Sequence, residues 1–303
     1  MIREISQPGP LASRPMQGYH GLTVVVPAYN EENGIEKAID TLVEALQPCG
    51  WEYEIIVVDD GSSDRTAELA EGRGVQVVRS ETNQGYGASL KAGIAMARYD
   101  WVAIIDADGT YPASEIPRML ERVPAGDMIV GARIGWQVHN SPMRMPAKWL
   151  LRKFASYLAG QEIPDLNSGL RVIRKSLVDE FAHILPPGFS FTTTITLALI
   201  STGRSVSYIP IDYYKRVGQS KIRPTHAFTF AFLILRTMML FQPLRVLGPI
   251  ALLFILVGLG KTTYEFLYAG VTGMGFLIAL QGVFILSLGL LADQNARFHR
   301  ARR

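Results

Sequence analysis

The sequence predicts an α/β protein: a mostly parallel sheet with helices on both faces, followed by an amphipathic helix and a membrane hairpin. Three observations carry this expectation. Short β-branched runs alternate with amphipathic stretches from Leu22 to about Arg133. Each run ends in polar, charged or Gly-rich residues. Two long stretches without any charge lie near the C-terminus.

The runs are LTVVV (22–26), YEIIVV (53–58), VQVV (75–78), WVAII (101–105) and DMIVG (127–131). Between them, 33–46, 63–72 and 87–98 carry helical patterns. Continuous apolar strands joined by helices favour a parallel sheet covered on both sides. Ligands of such sheets bind outside the carboxyl ends of the strands. PAYNE, DDGSSD, NQGYG, DAD and GAR follow the five runs in order, so they form one polar rim. Beyond it, 144–160 reads as a basic helix and 164–175 as a turn leading into a short strand. Residues 191–203 read as a helix ending at Gly203, and 205–222 as a strand running into a basic loop.

After Pro224 the chain changes character. Residues 246–260 and 274–292 contain no charge. A bilayer crossing takes about 20 apolar residues, which the second segment reaches and the first reaches with its flanks. A turn near 270–273 joins them into a hairpin. Arg245 precedes the first span, and Arg297, Arg300, Arg302 and Arg303 follow the second, so the positive-inside rule puts both flanks in the cytoplasm. Residues 225–242 are apolar too, but Arg236 would sit near mid-span, at about 2.5–3.5 kcal/mol. That segment is expected to lie on the membrane surface among its lipids. The expected division is a flexible lead-in over 1–20, an α/β domain over 21–222, an interfacial helix over 223–243 and the hairpin with its basic tail over 244–303.

Other classes are excluded on chemistry. One cysteine, Cys49, forms no internal disulfide and no Cys-based metal cluster. A net charge of +3 with no basic stripe interleaved with aromatics argues against nucleic acid. No GxxxxGK[ST], GxSxG or HExxH occurs, and GYG at 85–87 lacks the spacing of a dinucleotide fingerprint. The carboxylates are more informative. Asp106 and Asp108, at i and i+2, can face one ligand. They read either as an acidic turn or as hard oxygen donors for Mg²⁺ or Mn²⁺ bound together with phosphates. Asp59 and Asp60 read either as a cap of the helix that follows or as acceptors for the base or ribose of a nucleoside. Asp64, opening a helical stretch, reads as a cap.

PAYNE (27–31), VVDDGSSDRT (57–66), NQGYGASLKAG (83–93), DADGTYP (106–112) and GAR (131–133) together resemble the nucleotide-sugar half of a family 2 glycosyltransferase with the GT-A fold. SGLR (168–171), RVGQSK (216–221) and the hairpin resemble the branch that acts on polyprenyl phosphates, which includes dolichyl-phosphate mannose synthases and undecaprenyl-phosphate glycosyltransferases. The resemblance covers about residues 21–292. It implies a metal-dependent, inverting transfer of a sugar from a nucleotide diphosphate to a dolichyl or undecaprenyl phosphate. By position, Pro27, Ala28, Tyr29, Glu31 and Asp59, with Asp60 beside it, would line the nucleoside pocket. Asp106, Ala107 and Asp108 would form the metal and diphosphate turn. Arg133 would approach the sugar or the phosphates, and Arg216, Ser220 and Lys221 would close over the diphosphate or the acceptor. Asp165 is the candidate acceptor-side carboxylate, with a loop-capping role as its alternative. Several mannose synthases have Gln where this chain has Thr110, which leaves a third metal ligand unassigned. Other acceptors, such as a glycolipid or polysaccharide hydroxyl, and a non-catalytic scaffold are the competing readings; a homo-oligomer is left open.

Overall fold

The computed structural model describes residues 21–133, 145–214, 226–270 and 272–301. Seven strands form one sheet in the order β3-β2-β1-β4-β6-β5-β7. They are β1 (Gly21–Ala28), β2 (Glu52–Asp59), β3 (Gln76–Arg79), β4 (Trp101–Ile104), β5 (Met128–Arg133), β6 (Arg171–Arg174) and β7 (Val206–Ile211). Every described pairing is parallel except those of β6, which runs against both β4 and β5. This reversal brings the N-terminal end of β6 to the rim where the other strands present their C-terminal ends.

Strand alternation divides the core. On β1, Leu22, Val24, Val26 and Ala28 point to one face and Val25 to the other. The first face is covered by α1 (Ile35–Leu46), α2 (Thr66–Gly72) and α4 (Glu115–Leu120). In α1, Ile35, Ile39, Leu42 and Leu46 recur at helical spacing and are essentially fully buried. The second face is covered by α3 (Tyr86–Met96), α6 (Lys175–Phe181) and α7 (Phe191–Ser201). A third cluster joins α7 to α5 (Met145–Ala159) and α8 (His226–Phe241) through Ala155, Leu158, Leu197, Ile234 and Met238.

The segment expected on the membrane surface is α8. It buries Ile234, Thr237 and Met238 and leaves Phe232, Arg236 and Leu240 exposed. On α5, Trp149, Leu150 and Tyr157 are exposed beside Arg152 and Lys153. The sequence marked α5 as a basic helix but gave it no function.

The hairpin follows as α9 (Pro243–Tyr264), a π-helical turn (Glu265–Ala269) and α10 (Met274–Ala301). Gly270 and Gly273, both at positive φ, make the reversal. Two stretches, Pro243–Tyr268 and Met274–Phe298, are long and apolar enough to cross a membrane, and only 22% and 17% of their most apolar windows are buried. They are therefore not core helices of the catalytic domain. Gly258, Gly275 and Gly282 let the helices touch: a Cβ on any of them would collide with Ala279, Thr262, or Ala251 and Ile255 of the facing helix. The hairpin is tied to the domain at its head, where Arg245 donates to the Leu158 carbonyl at 3.2 Å and lies over Gly160.

Candidate active site

The rim at the sheet's switch point, between β1 and β4, gathers most of the candidates that lie on described residues. Pro27 and Ala28 end β1 in register with Val58 and Asp59 of β2, and Tyr29 stands exposed just beyond. Two strand-end turns are stitched together there. The Asn30 amide donates to Ser62 Oγ at 2.9 Å, while the Ser63 amide donates to the Asn30 side chain at 2.9 Å. This exchange holds Asn30 in the left-handed region, at φ 56°. The Glu31 amide donates to Thr66 Oγ1 at 2.8 Å, and Asp64 accepts from the Thr66 and Glu32 amides, so Asp64 is the cap the sequence indicated. Asp59 is nearly buried and accepts from the Ser62 amide at 3.3 Å.

Asp60 does not cap the helix that follows β2, the alternative the sequence offered, but serves the turn ahead of α3. Its two oxygens accept from the Gln84 and Gly85 amides at 2.7 and 2.9 Å, at the start of α3, and the side chain is 4% exposed. The glycines of NQGYG have a similar structural reason. A Cβ at Gly85 or Gly87 would strike the backbone of Pro186–Gly188, which packs on the turn.

Asp106 and Asp108 follow β4, both half-buried, with Ala107 buried between them. The Tyr86 hydroxyl donates to Asp106 Oδ1 at 2.8 Å. Burial first, then the negative charge of Asp106, pushes the Tyr86 phenol well above its ordinary pKa, so it remains a donor. Its ring stacks on the exposed Phe189. The Thr110 amide and hydroxyl both donate to Asp108 Oδ1, at 3.1 and 2.6 Å. Thr110 is fully buried, and its carbonyl accepts from the Tyr214 amide at 2.9 Å. It therefore orients Asp108 and joins the end of β7 to the aspartate pair. Among the described residues no group of three or more His, Cys, Asp or Glu gathers here. Two anchored carboxylates fit a divalent cation that completes its shell with phosphate oxygens and water.

Arg133 and Asp165 are brought together, where the sequence had given each a separate task. Arg133 Nε donates to Asp165 Oδ2 at 2.6 Å and Nη2 to Oδ1 at 2.9 Å, a bidentate pair. Asp165 also accepts from the Asn167 amide at 3.0 Å, the loop-capping alternative. Burial opposes the Asp165 anion, yet the bonds and charge of Arg133 outweigh it and hold the carboxyl below the usual carboxylate range. Asp165 is thus a fixed anion and a weak base. To the acceptor-side and loop-capping readings of Asp165 the structure adds a third engagement, the pair with Arg133. Arg133 also lies over the Tyr213 ring.

The 165–171 loop shows groups that sequence reasoning missed. Gly169 packs on the Asp106 carboxylate, where a Cβ would collide, and its amide donates to the Tyr111 hydroxyl at 2.7 Å. Arg171 is fully buried and spends its guanidinium on the Ser168 and Leu166 carbonyls, at 2.8 and 3.0 Å, and on Thr196 Oγ1. The only sequence signal for these roles was the SGLR string itself. Arg216, Ser220 and Lys221 lie outside the described residues.

Comparison with known proteins agrees with this geometry. The pattern of "Glycosyl transferase family 2" matches residues 23–181, and that of the "GtrB C-terminal hairpin" matches 242–297. An undecaprenyl-phosphate 4-deoxy-4-formamido-L-arabinose transferase from Pseudomonas paraeruginosa is 31% identical, over 92% of this chain and 86% of its own. A dolichyl-phosphate hexose transferase from Haloferax volcanii is 30% identical, over 68% of this chain and 88% of its own. The fold is similar to glucosyl-3-phosphoglycerate synthase from Mycobacterium tuberculosis, solved with Mn²⁺, uridine diphosphate and glucosyl-3-phosphoglycerate. That similarity has a TM-score of 0.55 at 21% identity, over 73% of this chain and 79% of that one. With the family pattern spanning the aspartate rim and more than half of the chain, and a relative 31% identical over 92% of it, the chain belongs to glycosyl transferase family 2.

Proposed function

We propose that this chain is an inverting transferase. It moves a hexose-like sugar from a nucleotide diphosphate, of the UDP-glucose or GDP-mannose type, onto a polyprenyl phosphate at the cytoplasmic face of a membrane. The named relatives act on undecaprenyl or dolichyl phosphate, which supports this class of acceptor.

The observation that carries the choice of acceptor is the commitment of Asp165 to Arg133. A hydroxyl acceptor needs a base to take its proton as the new bond forms. A carboxylate locked as an ion pair, with its pKa held down, serves that role poorly. A phosphate monoester needs no such base, since its second pKa is about 6 and it is mostly dianionic at neutral pH. In the step, an acceptor phosphate oxygen attacks C1 of the sugar as the bond from C1 to the diphosphate oxygen breaks. The nucleoside diphosphate departs with that electron pair.

This chain's residues fix the geometry of that displacement. Pro27, Ala28, Tyr29, Glu31 and Asp59 line the side for the nucleoside, and Asp60 shapes the turn behind it. Asp106 and Asp108 would hold Mg²⁺ or Mn²⁺, which when bound neutralises charge on the departing diphosphate. Tyr86 and Thr110 hold those carboxylates in place. Tyr214 is bonded to Thr110. Arg216, Ser220 and Lys221, carried over from the family pattern, would stabilise the departing diphosphate. The hairpin would anchor the rim beside the lipid, with both flanks cytoplasmic.

The test incubates membranes holding the full chain with labelled nucleotide sugars and polyprenyl phosphate. A labelled, acid-labile lipid is the expected product. Label in a glycan or glycolipid would overturn the acceptor, and nucleotide-sugar binding without any product would overturn the activity.

A further inference from the structure

Phe189 is 64% exposed, more than any other large apolar side chain described before α8. Its backbone is nevertheless clamped to α3. The Ala88 amide donates to the Pro187 carbonyl at 2.9 Å, and Lys91 Nζ donates to the Leu185 carbonyl at 3.1 Å. One face of the ring stacks on Tyr86, with centroids 5.5 Å apart, and the other is left to solvent. An exposed aromatic face on a fixed backbone loses little freedom when a ligand arrives.

A circuit of contacts leads from this ring back to the aspartate pair. Tyr86 holds Asp106 through its hydroxyl. On the other side, Thr193, in the first turn of α7 and four residues after Phe189, donates its hydroxyl to Asn167 Oδ1. Two residues further along that loop, Gly169 packs on the Asp106 carboxylate. Thr193 is fully buried and Asn167 is exposed. The bond therefore fixes the carboxamide and leaves its two N–H donors, which bond nothing among the described residues, at the rim.

The order of the sheet decides which part of a donor reaches this patch. A nucleotide sugar is linear: nucleoside, diphosphate, sugar. On the proposed reading, the nucleoside lies at the ends of β2 and β1, and the diphosphate lies at Asp106 and Asp108, after β4. The next strand along the rim is β6, preceded by the loop that carries Asn167. The group beyond the diphosphate is the sugar. A pyranose has an apolar face of C–H bonds and a girdle of hydroxyls, which one open ring and one amide beside a carboxylate would match.

We propose that Phe189 and Asn167 form the subsite for the donor's sugar. The ring takes its C–H face, the carboxamide takes a hydroxyl, and Thr193 positions Asn167. This rests on the nucleotide-sugar reading of the rim. The experiment uses the purified full chain with Mn²⁺ and no acceptor. Calorimetry gives Kd for UDP-glucose, UDP-galactose and GDP-mannose, and for UDP and GDP, which lack the sugar. For the sugar nucleotide that the wild type binds most tightly, Phe189→Leu and Asn167→Ala are each expected to raise Kd about fivefold, the scale of one net hydrogen bond or ring contact. Kd for the matching sugar-free diphosphate is expected to stay within about twofold of the wild type. Thr193→Val, which keeps the shape of the buried side chain and removes its hydroxyl, should show the same split at a smaller size. A parallel rise for the sugar-free diphosphate would make these residues supports of Asp106 and overturn the subsite, as would unchanged binding of the sugar nucleotide. A wild type that binds none of the three donors would overturn the nucleotide-sugar reading and the subsite with it. The proposed reaction fails separately, if the wild type binds a donor and forms no labelled polyprenyl lipid from it.

Discussion

The Tyr86 hydroxyl donates a 2.8 Å hydrogen bond to Oδ1 of Asp106, across twenty residues of sequence and from the first turn of α3 to the end of β4. It leaves the other side of the carboxylate facing Gly169. Tyr86→Phe keeps the ring and its stacking on Phe189 but removes that donor. The expected outcome is a fall in kcat of about tenfold, the scale of one hydrogen bond to a charged group. The Mg²⁺ or Mn²⁺ concentration giving half-maximal rate should rise, with little change in Tm. A metal titration of purified enzyme checks this, and an unaltered titration curve would remove Tyr86 from the site.

Gly169→Ala should be far more damaging than its size suggests. The added Cβ collides with the Asp106 carboxylate, so transfer should fall at least about a hundredfold if the carboxylate is displaced from its productive position. Gly188→Ala, at a position with nothing within 4 Å of a new Cβ, is the control and should retain activity. Equal rates for the two variants would contradict the placement.

The buried pair predicts a pH dependence of stability. The Asp165 carboxyl is lowered from its ordinary 3.8, so its contribution is present above that value and is lost as pH falls through the depressed one. Asp165→Asn leaves Arg133 without its counter-ion and should cost about 3 kcal/mol at neutral pH. In thermal melts the gap between wild type and variant should close below pH 4. A gap that persists in acid would argue against ionisation as its source.

Asp108→Asn in folded protein should abolish transfer, because one carboxylate would remain at the proposed cation site where two would hold the ion. Lys221→Met should lower transfer while leaving Tm unchanged, the signature of a residue that serves the leaving group and not the core. Full turnover in either variant would remove that residue from the machinery.

The sheet and its polar rim are legible in the sequence because β-branched runs and strand-end polarity are local patterns. The five runs correspond to β1 to β5, and the helices over 33–46, 87–98 and 191–203 correspond to α1, α3 and α7 within a few residues. Strand direction is not local: nothing in RVIR shows that β6 runs antiparallel and so delivers 165–170 to the rim. Helix α4 escaped notice because it is six residues long and contains Pro117. The Arg133–Asp165 pair joins residues 32 apart, and the need for Gly169 arises only where Asp106 meets it. Thr110 was legible as a departure from the family pattern, whereas its role in orienting Asp108 needed the fold.

Arg245 is the third residue of α9, and its bond to the Leu158 carbonyl ties the head of the hairpin to α5. On the proposed anchoring, that tie would hold the rim near one height above the bilayer, like a stylus clamped to its arm. The acceptor phosphate would then have to rise to that height. Discrimination among prenols would fall on the segment next to the phosphate, while the far end of the isoprenoid tail would pass unread.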